Sequence, residues 1–398
     1  MGRMYTLDDL DLGHLDGVVT LTRVDFNVPL AGGEVLDATR LEKALPTLRE
    51  LQARGARVLL ASHCGRPKGQ FEARTSLRPV ARALEELIGG PVGFAEDCIG
   101  EAAQACARAL PPGGLCLLEN LRFHAGEKAN DPAFAEELAA LAEVYVGDAF
   151  GTAHRAHASV VGLPERLERR AAGRLLVREV EALGRLLEAP ERPFAALVGG
   201  AKIEGKVDTL LNLLPRLDLL LLGGGMANTF LAACGCAMAD SLVELERLDL
   251  AREILAGARE QGIEVVLPTD LVVTDDLEDP RRVETVPAER VPPGTKAVDL
   301  GEESRRRIAE ALAPARTVFW NGPMGVFEVP PFDRGTLAAA EAVAGAAGFT
   351  VIGGGETVAA AGQAGVLDRL GHVSTGGGAS LELLAGKCLP GVAALEKP

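Results

Sequence analysis

Arginine and histidine recur behind the apolar runs in the first half of this 398-residue chain. His63 and Arg66 follow one run, Arg122 another, and Arg155 a third, while Arg40 stands just ahead of a helical stretch. A single arginine or histidine usually serves surface ion pairs or a satisfied core contact. Five at the ends of successive elements place cationic groups on one rim. Planar guanidinium forks grip phosphate or carboxylate oxygens two at a time. The chemistry expected there is capture of a small, multiply anionic metabolite. Asp25 and Asn27, behind the first run, are placed to bond a hydroxyl and to orient the arginines.

In the second half the corresponding positions hold glycine: Gly199-Gly200-Ala201-Lys202, Gly223-Gly224-Gly225, Asn321-Gly322, Gly353-Gly354-Gly355-Glu356-Thr357 and Gly376-Gly377-Gly378. Pro268-Thr269-Asp270 ends a further run. One such loop makes a tight turn and nothing more. Several together, with Lys202 and Lys206, let backbone N–H groups and helix N-termini approach a polyphosphate. Gly200 to Lys206 has the spacing of a phosphate-binding P-loop, but Val207 stands where a Mg²⁺-binding Ser or Thr belongs. Neither a dinucleotide-binding glycine fingerprint nor a protein-kinase signature is found.

The elements that must position these residues are legible as apolar runs. They are Val18–Phe26, Arg57–Ser62, Leu115–Leu118, Val144–Val146, Phe194–Val198, Leu217–Leu222, Ile263–Leu267, Thr317–Trp320 and Phe349–Ile352. Short continuous apolar runs separated by Ala/Leu/Glu-rich helical stretches predict buried parallel strands in doubly wound α/β sheets. Ligands of such sheets lie beyond the carboxyl ends of the strands, where the residues above fall. The charged stretch from Glu168 predicts an amphipathic segment running to Glu188, broken at Ala189-Pro190. The expected organisation is a domain over 1–173, a connecting helix over 174–188 and a second domain over 189–379.

Composition narrows the partners. The net charge of −15 excludes a general nucleic-acid or acidic-membrane binder. No run of about 18 apolar residues occurs, and no secretory signal opens the chain. Seven scattered cysteines without a Cys-x-x-Cys predict free thiols, no disulfide and no structural zinc, hence a reducing cytoplasm.

Long stretches of the chain resemble the phosphoglycerate kinase family: RVDFNVPL (23–30), SHCGRPKG (62–69), LLENLRFHAGEKAND (117–131), GDAFGTAHRAHAS (147–159), ALVGGAKIEGK (196–206), GGGMANTF (223–230), VFWNGPMGVFE (318–328), VIGGGET (351–357) and STGGGASLELL (374–384). The resemblance implies two Rossmann-like domains facing across a hinge-closing cleft. It implies transfer of a phosphoryl group from 1,3-bisphosphoglycerate to ADP, with Mg²⁺, by a monomer. It assigns the acid substrate to Asp25, Asn27, Arg40, His63, Arg66, Arg122 and Arg155. It assigns the nucleotide to Lys202, Lys206, Asn321, Glu328, Gly354, Gly355, Glu356 and Thr357, with Glu356 as metal ligand. It also implies that the C-terminal segment, about 380–398, packs back on the first domain. The chain departs from the family at Glu356, where Asp is usual, so the carboxylate reaches about one bond length further. Gly205, Gly147 and Cys64 replace a common Asp, Asn and Leu.

The transferred group carries charge that must be stabilised, and the acceptor is already ionised. Arg40 and Lys202, helped by the N–H groups of Gly355 and Gly378, are the expected catalytic groups, and no general base is needed. The rival readings are a P-loop-like NTPase and a non-catalytic nucleotide-binding protein.

Overall fold

The computed structural model describes residues 2–10 and 15–397, so the middle of the acidic stretch 8–16 lies outside the described residues. Contacts divide the chain into two compact units, Met1–Glu181 with Cys388–Pro398, and Ala182–Lys387.

The first unit is built on β1 (Val19–Arg23), the small hairpin β2 (Leu30–Ala31) and β3 (Glu34–Val35), then β4 (Arg57–Ala61), β5 (Val92–Ala95), β6 (Leu115–Leu118), β7 (Val144–Gly147) and β8 (Arg169–Ala172). Six of these form one parallel sheet in the order β5-β6-β4-β1-β7-β8. Its central strands are buried on both faces, which is why they read as unbroken apolar runs. Leu41, Leu48 and Leu51 of the helix Thr39–Ala53 join Val58, Leu60 and Leu117 of the sheet in one core.

In the second unit β9 (Phe194–Val198), β10 (Leu219–Leu222), β11 (Glu264–Val266), β12 (Asp270–Thr274), β13 (Val283–Pro287), β14 (Lys296–Leu300), β15 (Thr317–Asn321), β16 (Phe349–Gly353) and β17 (His372–Val373) follow in turn. The main sheet is again parallel, ordered β11-β10-β9-β15-β16-β17. β12 to β14 make a separate antiparallel sheet, β13-β12-β14, and Trp320 is fully buried in the shared core.

Each predicted run contains a strand. The hairpin β2 and β3, the edge strands β5 and β17 and the antiparallel trio β12 to β14 escaped notice. Charge hid β8, since Glu168–Gly173 was expected to lead into a helix. Pairing with β7 instead buries Ala171 and Ala172 completely and leaves Arg169 and Arg170 half-exposed at the sheet edge. The helix itself runs Arg174–Glu188, and the division between the units falls within it. At the C-terminus the helix Gly378–Leu384 packs in the second unit, where Thr209 Oγ1 donates to Leu381 O and Asn212 Nδ2 to Leu384 O. The return to the first unit starts at Cys388. Leu389, Val392 and Leu395 are buried there, and Tyr5 N donates to Leu395 O at 2.8 Å.

One cysteine expectation is overturned. Cys106 and Cys116 are joined in a disulfide with Cα atoms 6.7 Å apart. Nothing in the spacing signals it: the helix Gly100–Ala109 folds back so that Cys106 meets β6. Cys64, Cys98, Cys234, Cys236 and Cys388 are free. Among the described residues no helix is long and apolar enough to cross a membrane.

Candidate functional site

In the first unit β1 and β4 are neighbours, so the residues just past their ends meet. Arg40 Nη1 donates to Asp25 Oδ2 at 2.7 Å. Gly65 N donates to Asn27 Oδ1 at 2.9 Å, and Arg122 Nη1 donates to Gly65 O at 2.6 Å. Asp25 thus orients Arg40, while Asn27 and Arg122 fix the loop from which the exposed Arg66 projects.

His63 is 3% exposed and sits at the focus of the cluster. Burial, followed by the charges of Arg23, Arg122, Arg155 and Arg40, holds its pKa well below the ordinary histidine value. The imidazole is therefore neutral at pH 7. Arg23 Nη2 lies 3.2 Å from His63 Nδ1, and a guanidinium can only donate, so Nδ1 accepts and Nε2 carries the proton. Arg122 is itself held down to about 10 by burial and by its neighbours Arg155 and Arg23. Crowding like charges out of water is costly unless an anion compensates them.

Part of that compensation is internal. Arg23 Nε donates to Ser159 Oγ at 2.8 Å, and Ser159 Oγ donates to Glu127 Oε1 at 2.7 Å. Glu127 is completely buried and also accepts from Ser159 N at 2.9 Å. Sequence reasoning missed Arg23 because it ends a buried strand, and Glu127 and Ser159 because they lie in helical segments away from the strand ends. The signal was present: a charged residue inside the run Val18–Phe26.

Of the predicted acid-site residues, Asp25, Asn27, Arg40, His63 and Arg122 are linked by these bonds and fields. Arg155 acts on the same cluster through its charge, and its Nε meets His154 Nε2 at 3.2 Å. Arg66 is exposed on the loop that follows His63 and is placed beside them by chain neighbourhood alone.

In the second unit a cavity of about 310 Å³ is lined by Gly200, Gly224, Gly225, Glu328 and Glu356, with Asp299 in its wall. That volume suits a small-molecule ligand. The glycines are required sterically: a Cβ on Gly224 would lie 2.8 Å from Gly200 O, and one on Gly225 2.8 Å from Ala201 O. Gly354 has φ +95°, a left-handed conformation, and begins the turn into the helix Gly355–Gln363. Gly355 and Glu356 therefore open that helix, with Glu356 facing the cavity.

Lys206 does not line this cavity. Its ammonium donates to Gly199 O and, at 3.5 Å, to Asn321 O. Burial lowers its pKa to about 8, with the Glu356 charge opposing the shift. Asn321 Nδ2 donates to Gly353 O at 2.6 Å, and Gly322 N donates to Thr357 Oγ1 at 2.7 Å. Asn321 and Thr357 thus tie the carboxyl end of β15 to the loop that follows β16. Lys202 is exposed on the loop after β9, and Gly378 opens the short helix Gly378–Leu384. Asp270, read as part of a strand-end loop, is taken up structurally: its carboxylate accepts from Ser304 N at 2.7 Å and Glu303 N at 3.1 Å, capping the helix Glu302–Leu312.

Two parallel-sheet units, with an arginine cluster at the strand ends of the first and a glycine-lined cavity in the second, fit the class of two-domain α/β phosphotransferases. Comparison with known proteins specifies it further. The family model for phosphoglycerate kinase matches residues 7–387, and the chain belongs to that family. A phosphoglycerate kinase of Moorella thermoacetica is 53% identical over 392 residues, spanning 98% of this chain and 99% of the relative. One from Desulforudis audaxviator is 55% identical, spanning 98% of each. The solved phosphoglycerate kinase structure from Coxiella burnetii matches with a TM-score of 0.89 at 39% identity over 99% of both chains. That from Pyrococcus horikoshii matches with a TM-score of 0.86 at 31% identity over 98% of both chains. The chain is accordingly a kinase with a carboxyl group as acceptor. Nothing in its structure favours a P-loop NTPase or a non-catalytic scaffold.

Proposed function

We propose that this chain interconverts 1,3-bisphosphoglycerate plus ADP and 3-phosphoglycerate plus ATP, with the acid bound by the first unit and the nucleotide by the second. The observation that carries the acid site is the convergence of Arg23, Arg40, Arg122 and Arg155 on the buried, neutral His63. A ligand with a carboxylate at one end and a phosphate at the other relieves that concentration of positive charge. His63 Nε2–H adds a neutral donor, and Asp25 and Asn27 receive the hydroxyl while holding Arg40 and the loop at Gly65. Arg66 contributes a further phosphate contact.

On the nucleotide side, Gly354, Gly355 and Thr357 present the helix N-terminus to phosphate oxygens. Lys206, Asn321 and Glu328 shape and charge the remainder of the site. Carboxylate oxygens of Glu356 and Glu328 in one cavity are hard donors that suit Mg²⁺. When bound with the nucleotide, Mg²⁺ neutralises phosphate charge, and Glu356 is the residue we assign to hold it. Arg40 and Lys202 stabilise the charge on the moving phosphoryl group, with the Gly355 and Gly378 N–H groups assisting. The acceptor carboxylate or phosphate is ionised at neutral pH, so no residue has to remove a proton. The same reading takes the chain as a cytoplasmic monomer, an extension of the family resemblance.

ATP consumption measured with and without 3-phosphoglycerate tests the scheme. Turnover that needs the acid supports it. Hydrolysis at the same rate without the acid, or nucleotide binding without turnover, would sink it.

A further inference from the structure

We propose that the first unit carries a transition-metal site, separate from the phosphoryl-transfer groups, formed by Asp97, Cys98 and His124 and taking Zn²⁺. Asp97 and Cys98 lie in the turn after β5, and His124 precedes the helix Ala125–Ala129 that follows β6. β5 and β6 are parallel neighbours, so the segments leaving their carboxyl ends run side by side. The donor atoms of the three residues lie within 4.8 Å of one another. His124 Nε2 is 2.7 Å from Asp97 Oδ1, the same oxygen that accepts from Cys98 N at 2.6 Å. Phe134 stacks on the His124 ring at 5.3 Å between centroids and fixes its plane.

The donor set decides the ion. One thiol, one imidazole and one carboxylate form a mixed S, N, O set that suits Zn²⁺ or Co²⁺ and not Mg²⁺. Bonds of about 2.0–2.3 Å around a tetrahedral ion bring ligand atoms to about 3.3–3.8 Å from each other. The donor atoms, spread over at most 4.8 Å, must therefore close around the ion, while the His124–Asp97 pair, 2.7 Å apart, opens as its hydrogen bond gives way to the metal. Rotation of the Asp97 side chain, 46% exposed, supplies most of this movement, and the His124 ring, 30% exposed, shifts within the plane that Phe134 sets. That exposed side also admits the ion and a water as fourth ligand. Cys98, fully buried, closes the other side. On binding, the S–H bond of Cys98 breaks, its proton leaves to solvent and a thiolate–metal bond forms. His124 binds through Nε2: the proton that Nε2 donates to Asp97 Oδ1 leaves to solvent, Nδ1 takes one up from solvent, and the ring stays neutral. Asp97 and the thiolate then balance the two charges of the ion.

The test uses the full chain with C234S, C236S and C388S, which removes the more accessible free thiols. Titration with Co²⁺ is expected to give a thiolate-to-cobalt charge-transfer band saturating at one ion per chain. Zn²⁺ should abolish the band, and excess Mg²⁺ should not. Loss of an outer-shell partner alone costs about 10–100-fold in metal affinity, so loss of a ligand in H124N should cost more than about 100-fold. H124N alters a half-exposed side chain, so the result does not depend on whether C98A folds. Zn²⁺ should also raise the Tm of the parent chain and leave that of H124N unchanged. Absence of the charge-transfer band, or an equally strong band in H124N, overturns the site.

Discussion

Arg40 is held by Asp25 through a single 2.7 Å bond and stays partly exposed, so a ligand can still reach its free guanidinium edge. If it stabilises charge only in the transition state, Arg40→Ala lowers kcat by about 10²–10³-fold and leaves 3-phosphoglycerate binding largely intact. A coupled assay combined with equilibrium binding checks both halves; near-normal turnover removes the role. At Glu356 the longer side chain changes where the carboxylate meets Mg²⁺, and Glu356→Asp is expected to shift the Mg²⁺ titration of the rate. An unchanged titration would show the substitution to be neutral. Lys206 supplies a pH signature. Its folded pKa of about 8 lies below the ordinary 10.5, so between those values the folded chain gives up a proton that the unfolded chain keeps. That group makes the ligand-free fold less stable as pH falls through this window. A bound phosphate favours the ammonium, so near pH 8, where the nucleotide phosphates are already ionised, nucleotide binding should take up a fraction of a proton at Lys206, and near pH 6 Lys206 should take up none. Calorimetry in buffers of different protonation enthalpy reads this directly, and Lys206→Met should abolish it.

At the scale of elements, the helix Arg174–Glu188 shows how remote residues secure a helix start. Its free N–H groups are met from outside: Arg174 N donates to Thr47 Oγ1 at 2.8 Å, and Leu175 N and Leu176 N donate to Asp148 Oδ1 at 2.9 and 3.2 Å. Arg174 also pairs with Asp8 and Glu50 at 2.6 Å. Gly173 leaves room for this arrangement, because a Cβ there would sit 2.3 Å from Asp148 Oδ1. Gly173→Ala must push the carboxylate off the helix start. It should cost about 1–3 kcal/mol, the range for overpacking, seen as a lower urea midpoint with an unchanged slope. A midpoint within error of the parent would show that the carboxylate is not pinned. The run of charges around Glu168 concealed β8 from sequence reading for a related reason. Edge strands tolerate charge on their open side, so pattern alone does not distinguish them from an amphipathic helix.

Over the whole molecule, the two ends of the chain close the first unit. Met4 bridges Glu396, and Leu389, Val392 and Leu395 are each at most 3% exposed. Burying three such side chains is worth about 1.5–3 kcal/mol each, comparable in sum with the whole stability of an ordinary domain. Truncation after Lys387 should therefore unfold or strongly destabilise the first unit. The second unit, which ends at Lys387, should still bind nucleotide. Thermal unfolding followed with and without ADP separates the two outcomes, and an unaltered first transition would contradict the packing argument.

The sequence by itself determined the parallel α/β architecture, since doubly buried strands must be continuous apolar runs. It also determined the two kinds of strand end, because multiply charged ligands need arginine and close phosphate approach needs glycine. Tertiary structure alone decided which groups share a field. Arg23 reads as strand, yet its guanidinium reaches His63 from one side and, through Ser159, Glu127 from the other. It decided that Asp270 caps a helix, that Cys106 meets Cys116, and that Asp97, Cys98 and His124 converge. Each of these depends on distance between residues far apart in the chain or on neighbouring strands. Local pattern carries burial and periodicity, but the register and neighbour order of the sheet set those distances.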